Sequence, residues 1–102
     1  MGLPEPKPAS DRGFLAYAGG EFRTDYGHTI RVQESSAAMG PHVWLFIGDS
    51  DEPGMFDKHS PHLNLEQAVR LRAALDQFID GVAERWEDGD TRVAAALREV
   101  LG

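Results

Sequence analysis

The stretch 42-HVWLFIG-48 decides the fold, because five large apolar residues follow one another in it. A short apolar run rich in β-branched and aromatic residues predicts a strand rather than a helix. Side chains alternate along a strand, so Val43 and every second residue after it lie on one face, and Trp44 and Phe46 lie on the other. A strand that is apolar on both faces requires cover on both sides, which predicts a central position in a sheet.

The segment before this stretch predicts shorter strands joined by turns. Two arms, residues 21–24 and 28–35, flank Asp25-Tyr26-Gly27, where Asp and Gly favour a hairpin turn. In the second arm apolar and polar residues alternate, as they do in a strand with one buried face. A further short strand is predicted at residues 14–17.

The clearest helix is predicted from Asn64 to about Trp86. Asn64 suits the N-cap, and Gln67 stands three residues later in the capping-box position. An apolar stripe recurs at helical spacing along this helix, formed by Ala68, Leu71, Leu75, Phe78, Ile79, Val82 and Trp86. After a turn at Asp88-Gly89, Asp90 is predicted to cap a second, shorter helix.

These elements predict an α+β fold, in which a small antiparallel β-sheet of three to four strands precedes a long and a short α-helix. We expect both helices to pack on one face of the sheet, with the apolar stripe against Ile30, Val32, Val43, Leu45 and Ile47. Residues 1–12 carry three prolines and predict a flexible proline-rich tail, so residues 13–102 are expected to form a single α+β domain.

Composition and charge argue against several classes of function. The 102-residue chain has no cysteine, which rules out disulfides, a cysteine nucleophile and cysteine-based metal sites. Neither a secretory signal nor an apolar run of membrane-spanning length stands in the sequence, so we expect a cytoplasmic protein with no membrane partner. The formal net charge is −7 and no segment is basic, which argues against nucleic acid as a partner.

One group of residues near the central strand suggests a small-ligand site. Ser35 and Ser36 lie in a small-residue segment whose backbone amides and hydroxyls suit an anion. Arg31 and His42 are close to them in sequence, and Trp44 offers a surface on which a nucleobase can stack. A plain connecting loop uses the same small residues, so both interpretations stay open.

No catalytic or metal-binding set stands out in the sequence. His59 and His62 are three residues apart, but a proline separates them and no third ligand follows at a fixed spacing, which favours ordinary loop histidines. The segment 49-DSDEPG-54 begins like a calcium loop, yet the fifth and twelfth positions lack the required ligands. We therefore expect no metal, no cofactor and no enzymatic activity, since no nucleophile is paired with a base.

The aromatic side of the central strand also suggests a protein interface. Trp44 and Phe46 would form a homodimer contact if they were exposed, because exposed aromatic patches mark interfaces. Alternatively, Phe14, Tyr17 or the acidic loop at residues 48–62 covers the two aromatic side chains within one chain. The thin core of a domain of this size favours the homodimer.

A longer sequence pattern resembles known proteins. The order F-x-x-x-Y-G-x-x-x-x-V-Q-x-S-S-x-A, then V-W-L-F, then H-L-N-x-E-Q-A-x-x-L-R-x-A-L-x-x-F-I lies within residues 21–80. It is similar to small uncharacterised proteins encoded by bacteriophages and their actinobacterial hosts. The resemblance implies a small accessory protein in a phage or prophage setting, with an unidentified host or phage protein as a partner. It transfers no activity and no functional residue.

The sequence thus predicts a non-enzymatic accessory protein that acts by protein–protein interaction as a homodimer. The alternative is a protein that binds or sequesters a small ligand of the nucleotide type. The residues expected to bind such a ligand are Arg31, Ser35, Ser36, His42 and Trp44.

Overall fold

The computed structural model describes residues 4–8, 13–35, 40–49 and 60–101 of the chain. These residues form one antiparallel sheet of six strands and two helices, so the α+β class is confirmed. The strands are β1 (Lys7–Pro8), β2 (Leu15–Ala16), β3 (Phe22–Arg23), β4 (His28–Glu34), β5 (His42–Asp49) and β6 (His62–Asn64). The helices are α1 (Leu65–Arg85) and α2 (Gly89–Leu101). The strand order is β1-β2-β4-β5-β6, and β3 pairs with β4 outside this path.

The prediction of three to four strands is wrong, because the sheet has very short strands at its margins. β1 lies in the proline-rich segment and pairs with β2, and β6 follows the acidic loop and pairs with β5. A strand of two or three residues is too short to show an alternating pattern in sequence. Pro8 is compatible with β1 because an edge strand tolerates a residue that cannot donate a backbone hydrogen bond.

The long strands β4 and β5 form the centre of the sheet, as the sequence predicts. Their register pairs Ile30 with Ile47 and Val32 with Leu45, so these apolar residues share one face, while Trp44 lies on the other face opposite Gln33. The hairpin between β3 and β4 is also confirmed. The amide of Thr24 donates to the carbonyl oxygen of His28 at 2.8 Å, and the chain reverses there.

Both ends of α1 agree with the sequence prediction. The amide of Gln67 donates to Asn64 Oδ1 at 2.8 Å, and the amide of Asn64 donates to Gln67 Oε1 at 2.9 Å, which completes the capping box. After the last helical residue, the amide of Trp86 donates to the carbonyl oxygen of Val82 at 3.2 Å. In the described part of the chain, no helix combines the length and apolar character needed to cross a membrane.

α2 begins one residue earlier than the predicted cap at Asp90. The first bond into α2 runs from the amide of Arg92 to the carbonyl oxygen of Asp88 at 2.9 Å, so Asp88 takes the cap position. Asp88 has a φ of +60°, a left-handed conformation that Asp tolerates better than most residues. The chain turns so sharply at this point that Asp90 already lies in the first helical turn.

The expected packing of both helices on the sheet holds only for the first half of α1. There Ala68, Leu71 and Leu75 face Val43 and Leu45 across a cavity of about 190 Å³. Among the described elements, α2 contacts α1 alone and makes no contact with the sheet. The second half of α1 and the whole of α2 therefore project beyond the sheet as a helical hairpin.

The molecule is correspondingly extended and has little apolar interior. Its radius of gyration is 15.0 Å, whereas a compact chain of this length has a radius of gyration of about 13 Å. Within the described residues, Ala16 is the only hydrophobic residue that is almost fully buried, at 2% exposure. Most of the apolar stripe on α1 is open to solvent, although its sequence pattern is that of a core-facing helix.

Candidate functional site

Strand alternation and the pairing of β6 with β5 together build a row of rings on the face opposite the helices. His42, Trp44 and Phe46 lie on this face of β5, and β6 places His62 directly opposite Trp44. The ring of His62 stacks on Trp44 with centroids 4.2 Å apart, and Trp44 stacks on Phe46 at 5.3 Å. The His42 and His62 rings are 4.9 Å apart. We call these four residues the aromatic row.

Polar groups lie at the histidine end of the aromatic row. Ser35 Oγ and His62 Nε2 are hydrogen-bonded at 2.7 Å. His42 Nδ1 donates to the carbonyl oxygen of Gly40 at 2.9 Å, and the amide of Ser35 donates to the carbonyl oxygen of His42 at 3.1 Å. Both histidines therefore have fixed ring positions next to the end of β4.

The structure brings together three of the five residues predicted to bind a ligand. Ser35, His42 and Trp44 surround His62. Arg31 lies four residues away along the strand, about 13 Å from Ser35. Ser36 lies outside the described residues, as does His59, which the sequence predicts, like His62, to be an ordinary loop histidine.

Arg31 interacts at the other end of the aromatic row. Its Nη1 atom is 3.7 Å from Glu21 Oε2, and its guanidinium lies 5.4 Å from the centroid of the Phe46 ring. These contacts hold the guanidinium over the sheet, where a cation–π interaction contributes about 0.5–1 kcal/mol. A single small anion at Ser35 would therefore be out of reach of Arg31.

Gln33 is the least expected residue of this face. It is only 9% exposed, although it is polar and lies between Ala16 and Trp44 in the sheet. Its Oε1 atom is buried and has no hydrogen-bond partner among the described residues. A buried acceptor left in this way costs about 1–3 kcal/mol, so a donor placed next to Trp44 would gain a bond that the described part of the chain does not make.

Ser35 and His62, at the histidine end of the aromatic row, form one pair with potential reactivity, which the sequence prediction missed. The 2.7 Å distance between Ser35 and His62 is that of a nucleophile and its base. Within the described part of the chain, however, His62 has no carboxylate partner to orient its ring. The described residues also contain no cluster of three or more His, Asp or Glu side chains that suits a metal ion. Stacking and hydrogen bonding are the chemistry that this face offers.

A second surface lies between the two helices of the projecting hairpin. Its groove of about 550 Å³ is lined by Phe78 and Ile79 from α1, by Trp86 directly after α1, and by Val93, Leu97 and Val100 from α2. We call this surface the helical groove. Arg92 is the only charged residue among the described residues that line it, and its guanidinium lies 5.4 Å from the centroid of the Trp86 ring.

Exposure distinguishes the helical groove from the aromatic row. Phe78 is 69% exposed, Trp86 60% and Val100 53%. Trp44 and Phe46, the residues predicted to form a homodimer interface, are only partly exposed. The larger exposed apolar surface of the described structure is therefore on the helices, on residues that the sequence pattern assigns to the core.

Comparison of the chain with protein-family models, with curated protein sequences and with solved structures finds no match. Function is therefore inferred from the aromatic row and the helical groove.

Proposed function

We propose that this chain is a small non-enzymatic accessory protein that acts by protein–protein interaction, as a homodimer. The observation that carries this proposal is the exposure of large apolar side chains along both helices. Folded proteins in water rarely leave large apolar patches exposed, and where they do, the patch usually marks a surface that binds another molecule. The accessory role in a phage or prophage setting rests on the resemblance of residues 21–80.

The shape and chemistry of the helical groove favour a protein over a small molecule. Small-molecule sites are concave pockets that combine apolar walls with several converging polar groups. The helical groove offers Arg92 and otherwise only apolar side chains. An apolar surface along two helices instead suits the apolar face of another helix, which contributes side chains at every turn.

The thin interior of the single chain supports the homodimer. Ala16 is the one almost fully buried hydrophobic among the described residues, so a single copy gains little hydrophobic stabilisation from its interior. Obligate homodimers often lack a stable folded monomer, and their stability depends on protomer concentration.

The experiment is light scattering after size exclusion, over a concentration series, together with thermal unfolding at the same concentrations. We expect a mass of twice 11.2 kDa at high concentration and an unfolding temperature that rises with concentration. A mass of 11.2 kDa at every concentration, with a constant unfolding temperature, would refute the homodimer.

A second candidate function is the binding of a small ligand with an aromatic base at the aromatic row. Two observations favour it: Ser35, His42 and Trp44 converge on His62, and the buried Oε1 atom of Gln33 finds no hydrogen-bond partner in the described part of the structure. Stacking of a base on an aromatic side chain contributes about 1–3 kcal/mol. This candidate is compatible with a homodimer formed elsewhere on the chain.

Tryptophan fluorescence tests this second candidate, because the chain has two tryptophans on two different surfaces. In a Trp86→Phe variant only Trp44 emits, and a stacking ribonucleotide is expected to quench its emission in a saturable way. The matched control is Trp44→Phe, in which Trp86 should show no saturable quenching. Failure of every nucleotide tested at millimolar concentration to quench Trp44 would reject nucleotide binding.

A further inference from the structure

We propose that the helical groove is occupied by the helical groove of a second copy of this chain, so that two α1–α2 hairpins form a four-helix bundle. This inference rests on the proposed homodimer and names its surface. In a two-fold arrangement the same residues meet from both sides, so no separate complementary surface is required. The two sheets then lie outside the bundle, with their aromatic rows away from the contact.

The exposed apolar area of the helical groove is that of the centre of a dimer interface. The five most exposed positions along it are Phe78, Ile79, Trp86, Leu97 and Val100, with exposures between 38% and 69%. At ~200 Å² for a fully exposed large side chain, they present roughly 540 Å². This area is near the upper end of the about 300–600 Å² that the largest apolar patch on a typical monomer covers, and patches of that size are often functional. It is about two-thirds of the roughly 800 Å² per partner that a standard interface buries.

Charge favours a second copy over a basic partner. The whole chain carries a formal charge of −7, which would attract a basic protein. The helical groove itself lacks acidic lining residues, and its one charged residue is the cation Arg92. α2 carries two acidic and two basic residues, so two copies of α2 meet without net repulsion. The acidic character of the chain lies elsewhere on the molecule.

The small interior also favours a partner that is always available. If the chain is stable only when a partner covers the apolar stripe of α1, that partner must be present whenever the chain is made. A second copy is produced wherever the chain is produced, and the paired fraction rises with the concentration of the chain. A different protein meets it only where both are produced together.

Introduced cysteines test the arrangement, because the natural chain has none. Ala96 lines the helical groove, whereas Ala94 lies about 200° away around the same helix. Both alanines are exposed in the single chain. The reaction rate of Ala96→Cys and of Ala94→Cys with a maleimide is measured over a concentration series, with the mass of each variant measured in parallel.

In the proposed bundle, Ala96→Cys reacts about tenfold more slowly once about nine in ten molecules are paired, and Ala94→Cys reacts at an unchanged rate. A dimer in which both variants react at the same constant rate would overturn the bundle and leave the homodimer standing. A monomer at every concentration would overturn both. Far-ultraviolet circular dichroism of each variant confirms that its helices are formed.

Discussion

The side chain of Ser60 forms hydrogen bonds with the backbone of β5 beyond the point where β6 begins. The amide of Ile47 donates to Ser60 Oγ at 3.0 Å, and Ser60 Oγ lies 3.4 Å from the carbonyl oxygen of Ile47. Ser60 is 8% exposed, so water cannot easily replace these bonds. The serine hydroxyl thus satisfies both backbone groups of a β5 residue that β6 is too short to reach.

Replacement of this hydroxyl is expected to weaken the sheet at that point. Ser60→Ala leaves the part-buried amide of Ile47 without its acceptor, at a cost of about 0.5–1.5 kcal/mol in the free energy of unfolding. Hydrogen exchange gives a local measurement. The Ile47 amide should lose protection, while the Leu45 amide, which donates to the carbonyl oxygen of Pro61 at 2.9 Å, should keep it relative to global unfolding. Equal protection of Ile47 in both proteins would contradict the assignment.

The contacts of a single residue were predictable from the sequence where its partner is near in the chain. Asn64 and Gln67 are three residues apart, so their reciprocal bonds follow from local geometry. The burial of Gln33 and the stacking of His62 on Trp44 depend on pairings between distant strands. β6 has only three residues, so its sequence pattern did not predict that His62 lies opposite Trp44.

At the scale of elements, the turn between α1 and α2 depends on Gly89. A Cβ atom at this position would overlap the carbonyl oxygen of Val82 and come within 2.9 Å of the carbonyl oxygen of Ala83. Both oxygens belong to the backbone near the end of α1 and cannot move aside cheaply. Glycine therefore allows α2 to start directly against α1.

Gly89→Ala is accordingly expected to destabilise the helical hairpin, although alanine is the better helix former. The matched control is Gly81→Ala, because a Cβ atom at Gly81 meets nothing within 4 Å. Chemical denaturation should show that Gly81→Ala gains up to about 1 kcal/mol, while Gly89→Ala loses about 1–3 kcal/mol. A gain of stability in both variants would show that the turn does not require glycine.

Elements were predictable to the extent that they are long and periodic. β4, β5 and α1 each show several repeats of their pattern, and the structure contains all three. β1 has two residues, a single period of the strand pattern, and was not predicted. β3 is equally short, but the turn at Asp25-Tyr26-Gly27 that follows it allowed its prediction. The cap of α2 was misplaced by two residues because Asp88 and Asp90 are both acceptable cap residues, and only the left-handed turn at Asp88 decides between them.

At the scale of the whole molecule, the sequence predicts which side of α1 is apolar but not what covers it. An amphipathic stripe requires apolar cover, and a sheet of the same chain or a helix of another copy supplies it equally well. α1 has 21 residues, which corresponds to a length of about 31 Å. The stripe meets the sheet near Leu71 and is far from it at Trp86. The candidate site shows the same limit of sequence-based prediction. Closeness in sequence grouped Arg31 with Ser35 and Trp44, but in the fold only Ser35 and Trp44 come together at His62.

The central claim is that the helical groove, and not the sheet, joins two copies of the chain. The most direct measurement is the light-scattering mass of Phe78→Asp beside that of Phe22→Asp. Both phenylalanines are exposed, Phe78 at 69% in the groove and Phe22 at 55% on the sheet, so the same charge is introduced at two comparable positions. We predict 11.2 kDa for Phe78→Asp and twice that mass for Phe22→Asp and for the natural chain. A Phe78→Asp protein that keeps the doubled mass would contradict the claim.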